Sequence, residues 1–220
     1  MPVYNEKTFL NFDHAQCAGK WDIPTLQPVH VVPERFLGFN YARTSTDFDS
    51  CIHFFLDDYQ FERVWNRPEE NIKVLSKFSS CLTPDFSLYR DMPKALMLWN
   101  VYRSRLFGQM CQRAGLTVIP TIQYAGPETY DFVFDGLPEH STVAVSSVGI
   151  MKDKVAVDLF LRGFIEMQSR IHPETVLFYG NSTILQRVVS CDDNCRYSFF
   201  DSFSQKFQDI STQTPTQKEA

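Results

Sequence analysis

The sequence predicts an α/β fold built from a mostly parallel, six-stranded sheet of βα units. Six short apolar runs alternate with longer stretches that have helical spacing, and polar residues collect where the runs end. We expect a distorted or incomplete (β/α) barrel, with an open doubly wound sheet as the alternative. In the doubly wound form, the first strand-to-helix turn often carries a glycine-rich phosphate loop, and none is present.

The six predicted strands are short and bounded by turn residues. The run at 116–124 is the most strand-like, although Pro120 within it requires a bulge or a missing ladder bond. The complete set of runs is 35–40, 51–56, 81–87, 116–124, 142–149 and 175–180.

Three helices are predicted between these strands. The first covers residues 61–78, with Pro68 starting its main turns. The second covers 92–114, with Asp91 as N-cap and Gly115 just beyond its C-terminus. The third covers about 153–171. Each connects two predicted strands, as right-handed crossovers do.

Length and composition indicate one domain with a core rich in aromatic rings. The 220 residues predict a single α/β domain over 1–203, in which residues 1–32 wrap the outside. The region 204–220 is rich in Gln, Thr and Ser and is predicted to be a disordered tail. Aromatic residues make up 15% of the chain, so rings should dominate the core.

Charge and hydropathy exclude some classes of function. A net charge of −5 speaks against a broadly basic nucleic-acid-binding surface, although a local groove stays open. No apolar run approaches the roughly 20 residues that span a bilayer. The first ten residues do not form a signal peptide, so we expect a cytoplasmic protein without a membrane partner.

The six cysteines do not form a recognisable metal site. Those at positions 51, 81 and 111 lie in apolar or helical segments, where a free thiol acts as a small hydrophobe. Cys191 and Cys195 form a C-x3-C pair, but no second pair has the spacing of a zinc site. We expect this pair to be either two thiols on the solvent side or a local disulfide.

Polar groups at the predicted strand ends form the strongest functional signal, because parallel α/β folds bind ligands at that edge. Asp57 and Asp85 are the candidate catalytic acids and divalent-metal ligands, with Mg²⁺ or Mn²⁺ as the fitting ions. Asp57 and Asp58 are adjacent, so one would enter the site while the other caps a helix; two capping acids are an equal alternative. Arg103 is the third candidate catalytic residue, paired with an acid or with phosphate. The candidate ligand-binding residues are Asn40, Ser87, Tyr89, Asn100, Gln123, Tyr124 and Ser147.

His53 lies within the second run, where a satisfied core histidine is the favoured interpretation. The alternation of side chains along a strand puts it on the same side as Asp57, so a position beneath a site is the other interpretation.

Three longer blocks resemble a known family. They are His53-Phe54-Phe55-Leu56-Asp57-Asp58-Tyr59-Gln60-Phe61, Thr83-Pro84-Asp85-Phe86-Ser87-Leu88-Tyr89 and Trp99-Asn100-Val101-Tyr102-Arg103-Ser104-Arg105. They are similar to the bacterial and bacteriophage domain of unknown function numbered 4417, over most of residues 20–182. The resemblance implies a prokaryotic or phage origin and mobile-element association. The family carries no established activity, so the resemblance implies no reaction.

The leading functional hypothesis is a barrel-like hydrolase or lyase that acts on a phosphorylated or nucleotide-like small molecule. The alternative is a binding protein without turnover, for example a phage-encoded inhibitor that holds a host protein. A metal-dependent nuclease is a weaker alternative, which the negative charge disfavours. In each case the expected location is the cytoplasm of a bacterium or of a phage-infected cell.

Overall fold

Seven parallel strands, preceded by a small hairpin, form the framework of the described part of the protein. The computed structural model describes residues 12–187 and 195–201. The hairpin pairs β1 (Cys17–Ala18) with β2 (Ile23–Pro24) in antiparallel fashion. It is attached to the rest of the fold by Gln109, whose side-chain amide donates to the carbonyls of Gln16 and Thr25 at 3.0 Å each.

The first parallel sheet has four strands in sequential order. These are β3 (Phe36–Gly38), β4 (Cys51–His53), β5 (Ser80–Leu82) and β6 (Val118–Ile119). The second parallel sheet has three strands, also in sequential order: β7 (Thr142–Ser146), β8 (Thr175–Tyr179) and β9 (Arg196–Phe200). Among these described strands, neither sheet contains the reversal of order that defines a doubly wound fold.

The prediction of one six-stranded sheet is wrong, because the strands belong to two sheets. The β5–β6 ladder ends at Ile119, because the next amide on that side, Thr121, donates to the Thr83 hydroxyl at 2.8 Å. Pro120 faces β7, where its carbonyl accepts from the Ala144 amide. The chain then turns toward β7, where a single parallel bridge joins Thr121 to Ala144. The predicted α/β class with parallel strands is confirmed, whereas the barrel stays a prediction.

Four α-helices connect the strands in the described ranges. The predicted helix over 61–78 is divided into α1 (Arg63–Asn66) and α2 (Pro68–Leu75). Arg67 adopts φ −140° and ψ 66° between them, because a residue before proline is driven out of the α region. The other two are α3 (Lys94–Arg113) and α4 (Lys154–Ile171), close to the predicted bounds.

The helix ends are partly as predicted. Asp153 is the N-cap of α4 and accepts a hydrogen bond from the Val155 amide at 2.8 Å. Gly115, with φ +84°, follows the last turn of α3 as expected. Asp91 is not the N-cap of α3: extended Pro93 takes that position, and its side chain makes no capping bond.

Strand β9 is not among the predicted strands. Its residues are only half-buried or exposed, so its sequence carries no continuous apolar run. Pairing with β8 at five consecutive positions fixes it in place.

Rings fill the core, as the composition predicts. One apolar cluster packs around the four-stranded sheet, and the second packs around the three-stranded sheet and α4. The fully buried phenylalanines are Phe39, Phe54, Phe61, Phe86, Phe107, Phe132, Phe164 and Phe178.

The three central cysteines, Cys51, Cys81 and Cys111, are buried and free, as expected. The C-x3-C pair lies outside the described residues because Cys191 is among those left out. The predicted tail at 204–220 also lies outside them, and the domain bounds stay a prediction. No helix in the described part of the chain has the length and apolarity to cross a membrane.

Candidate functional site

A cavity of about 370 Å³ opens at the carboxyl ends of β5, β6 and β7, beside the N-terminus of α4. Five of the ten residues predicted from the sequence for the site line it: Asp85, Ser87, Tyr89, Gln123 and Tyr124. Apolar walls come from Phe86, Ile122, Leu159 and Phe160. A largely apolar cleft with a few convergent polar groups is the usual form of a small-molecule site.

Two acids line this cavity, Asp85 on the loop after β5 and Asp153 at the N-terminus of α4. Burial, reinforced by the negative charge of Asp58, raises the pKa of the Asp85 carboxyl from 3.8 to about 7, while the Gln123 side chain opposes the shift. Desolvation dominates because the carboxylate loses hydration that no cation replaces. Asp85 therefore exchanges its proton near neutral pH, as a general acid or base must.

Gln123 presents a free acceptor beside this acid. Its Nε2 donates to the carbonyl of Phe86 at 2.5 Å, which fixes the orientation of the amide. Its Oε1 is buried and has no hydrogen-bond partner among the described residues, and the whole residue is only 5% exposed. A buried acceptor without a hydrogen bond lowers the free energy of unfolding by about 1–3 kcal/mol. A ligand that donates a hydrogen bond to it would recover this free energy on binding.

The loop that carries Asp85 is fixed by side chains from three directions. The amide and hydroxyl of Ser87 donate to the carboxylate of Asp58, the hydroxyl at 2.8 Å. Asn100 donates to the Ser87 carbonyl at 2.7 Å, and Ser104 donates to the Pro84 carbonyl at 2.6 Å. These bonds place Asp85 on a rigid support, which a positioned catalytic group requires.

Arg103 completes this support but does not enter the cavity. Its guanidinium carbon lies 3.5 Å from the centre of the Phe86 ring, and its Nε donates to Asn100 at 3.0 Å. Its Nη1 forms an ion pair with Glu62 at 2.7 Å. The expected partners Asp57 and Asp85 are therefore not its partners. Arg103 thus packs against the aromatic wall of the cavity from outside its described lining, and its predicted catalytic role stays a prediction.

The long sequence blocks thus belong to one structural unit, in which the block on α3 holds the loop that carries Asp85. Comparison with known proteins shows which family contains these blocks. The model for "Domain of unknown function (DUF4417)" matches residues 15–191. The chain belongs to this family.

Two phage proteins are among its relatives. It is 45% identical over 179 residues to the "Gene 1 protein" of Mycobacterium phage D29, covering 79% of this chain and 63% of that protein. It is 42% identical over 181 residues to the "Gene 1 protein" of Mycobacterium phage L5, covering 81% of this chain and 76% of that protein. The chain thus spans less than two thirds of the length of the D29 protein. No solved structure matches. The predicted resemblance to this phage-associated family is confirmed.

The remaining predicted site residues of this DUF4417 protein are not on the described lining of the cavity. Asp57 is exposed and makes no capping bond, so it is Asp58 that acts in the loop. Ser147 joins two strand ends: its Oγ accepts from the Asn181 amide at 2.9 Å. Asn100 serves the loop, and exposed Asn40 lines a different groove.

The structure offers no cluster for the predicted Mg²⁺ or Mn²⁺. Asp57 and Asp85 do not share the cavity, and nowhere within residues 12–187 and 195–201 do three metal-ligating side chains come together. Asp57 and Asp85 therefore do not form the predicted two-acid site in the described structure.

The far wall of the cavity contains residues that were not predicted from the sequence. Arg90 lines the cavity and forms an ion pair with Asp153, the N-cap of α4, at 2.6 Å. Ser146, Val148, Gly149 and Ile150 lie beside them on the cavity lining. The helical pattern that starts at Asp153 was the available signal, because a helix N-terminus commonly borders a site in parallel α/β folds.

Proposed function

We propose that the 370 Å³ cavity is the active site of a hydrolase or lyase that acts on a small nucleotide-like molecule, with Asp85 as the general acid or base. The observation that carries this proposal is the pairing of Asp85, whose pKa is about 7, with the unpartnered Oε1 of Gln123. One group moves a proton and the other orients a substrate N–H.

The substrate's charged end would lie at the rim. Arg90 is the cation of the described cavity lining, and it is paired with Asp153, so a monoanionic or dianionic phosphate would compete with that carboxylate. Arg103, expected from the sequence to meet the phosphate, is engaged with Glu62. The apolar walls around Phe86 and Phe160 suit the flat face of a base.

We also infer that the seven parallel strands follow the wall of an incomplete (β/α) barrel. Sequential strand order in both sheets and the Thr121–Ala144 bridge support it. So does the stacking of Phe36 on Phe200, whose ring centres are 4.1 Å apart and which belong to the first and last parallel strands. In such folds the carboxyl ends of the strands hold the active site.

The experiment pairs binding with turnover. The four ribonucleosides and their 5′-monophosphates are titrated by saturation-transfer NMR, and ¹H and ³¹P spectra follow any chemical change over hours. We expect a monophosphate to bind and to be converted, and Asp85→Asn to reduce the conversion about 10²–10⁴-fold while binding persists. The matched control is Asp57→Asn, an exposed acid outside the cavity.

The binding protein without turnover is the second candidate. It is favoured by the described cavity lining, in which no His, Cys or Lys accompanies Asp85 as a nucleophile or second base. Binding that Gln123→Leu weakens, with no conversion by the wild type, would support this candidate and reject the enzyme. If none of the eight compounds binds, the nucleotide-like substrate is refuted.

A further inference from the structure

A second, larger cavity of about 650 Å³ lies along β3, between the two outermost parallel strands β3 and β9. It shares no described lining residue with the cavity of Asp85. The residues that determine its chemistry are Phe36, Gly38, His53, Tyr179 and Phe200. They come from four different strands, so the site is made by the sheet framework rather than by one loop.

His53 supplies a hydrogen-bond donor to this cavity. The residue is only 5% exposed, and its Nδ1 accepts from the Phe55 amide at 3.2 Å. In a neutral imidazole the proton then resides on Nε2. No group of the described residues accepts a hydrogen bond from this Nε2. Burial lowers the pKa of His53 to about 4, so the ring is neutral at physiological pH and presents one N–H.

The surroundings of this donor are flat and aromatic. The ring centres of His53 and Tyr179 are 4.7 Å apart, and those of Phe55 and Tyr179 are 5.1 Å apart in a stacked arrangement. The Phe36–Phe200 stack extends the same surface toward β9. Aromatic faces of this kind gain most from another planar ring.

The charges on the cavity lining are mostly negative. Glu34, Asp47 and Asp201 are acids of the described lining, and Arg35 is its one cation, which already pairs with Asp47 at 3.2 Å. An anionic ligand would therefore meet repulsion, with no unpaired cation among the described lining residues to offset it. This distinguishes the cavity from a phosphate site.

We propose that this cavity is a second ligand site, which takes an uncharged planar aromatic or heteroaromatic compound whose carbonyl oxygen accepts from His53 Nε2. Aromatic amides and lactams are the corresponding chemical class. The site is independent of the proposed function of Asp85, since the two cavities are lined by different residues.

Gly38 offers a precise means of closing the site. A Cβ at Gly38 would lie 3.6 Å from His53 Nε2 and 2.5 Å from the Asn40 side-chain oxygen. Gly38 has φ −64° and ψ 139°, which alanine adopts without strain, and exposed Asn40 can rotate away. Gly38→Ala would thus fill the space in front of the donor and leave the fold intact.

The test uses benzamide and benzoate, which match in size and differ in charge. Both are titrated by calorimetry into the wild type and each variant, and the Nε2 resonance of His53 is followed in every ¹⁵N-histidine-labelled protein that retains this residue. We expect benzamide to shift this resonance, Gly38→Ala and His53→Phe each to weaken benzamide binding about tenfold, and benzoate to bind about tenfold more weakly than benzamide. Asp85→Asn should leave the benzamide titration unchanged.

Three results would overturn the proposal: no shift at His53 with benzamide, equal binding of benzoate, or unaltered benzamide binding by both Gly38→Ala and His53→Phe. The Asp85→Asn control separates this site from the first one. Loss of the benzamide response in that variant would assign the binding to the cavity of Asp85 and reject the second site.

Discussion

Replacing Asp85 with asparagine should change how the stability of the protein depends on pH. The carboxyl titrates with a pKa of about 7 in the folded protein and near its ordinary 3.8 in the unfolded chain, so the folded state holds the proton more tightly. Stability is therefore greatest at low pH for this group and falls as the pH rises from about 4 to about 7. Above that range the loss is constant, because both states are ionised.

The size of the effect follows from the two pKa values. Between pH 5 and pH 8 the ionisation of Asp85 should lower the free energy of unfolding by about 2–3 kcal/mol. An asparagine side chain cannot ionise, so the variant should lack this component. From pH 5 to pH 8, the unfolding free energy of the wild type should therefore fall by this amount relative to that of the variant.

Urea unfolding at pH 5, 6, 7 and 8, followed by circular dichroism, measures this difference directly. Histidines and other acids titrate in both proteins, so subtraction removes them. Asp57→Asn is the matched control, since it makes the same substitution at an exposed acid outside the cavity. If the curves for the wild type and Asp85→Asn run parallel, the carboxyl is not protonated near neutrality and its assignment as a general acid or base fails.

Three further substitutions test the support of the site. Arg103→Lys retains the charge but loses the planar stack on Phe86, and should lower the free energy of unfolding by about 1–2 kcal/mol; a change below about 0.5 kcal/mol would show that the stack is incidental. Thr83→Val removes the acceptor of the buried Thr121 amide, and urea titration should show a loss of about 1–3 kcal/mol, whereas an unchanged midpoint would contradict that bond's role. Asp153→Ala removes the N-cap of α4 and should cost about 1 kcal/mol by thermal unfolding, with an unaltered melting temperature as the opposing result.

The positions of the strands could be predicted from the sequence, but their grouping into sheets could not. Each apolar run contains or closely borders a strand, because burial on both faces of a parallel sheet leaves a continuous apolar signal. Pro120 was recognised as an interruption. The change from one sheet to the other depends on where β7 lies in space, and a local pattern does not contain that information.

The site was partly predictable for the same reason. Residues directly after a strand, such as Asp85 and Gln123, could be located because strand ends converge. The alternation argument failed for Asp57, since β4 ends at His53 and the two-residue period does not continue through the loop that follows. The partner of Arg103 was missed because Glu62 is 41 residues away in the chain, and a local pattern does not show which acid meets Arg103 in space.

The two walls of the Asp85 cavity are joined through few main-chain contacts. The acid and its loop extend from the four-stranded sheet, whereas Ser146 and Phe160 belong to the second sheet and its helix. In the described part of the chain, a single bridge, Thr121 to Ala144, connects the strand ladders of these two halves. A compound bound between Asp85 and α4 would add contacts between the two halves, so that amides on both sides of the cavity should exchange more slowly when it is bound.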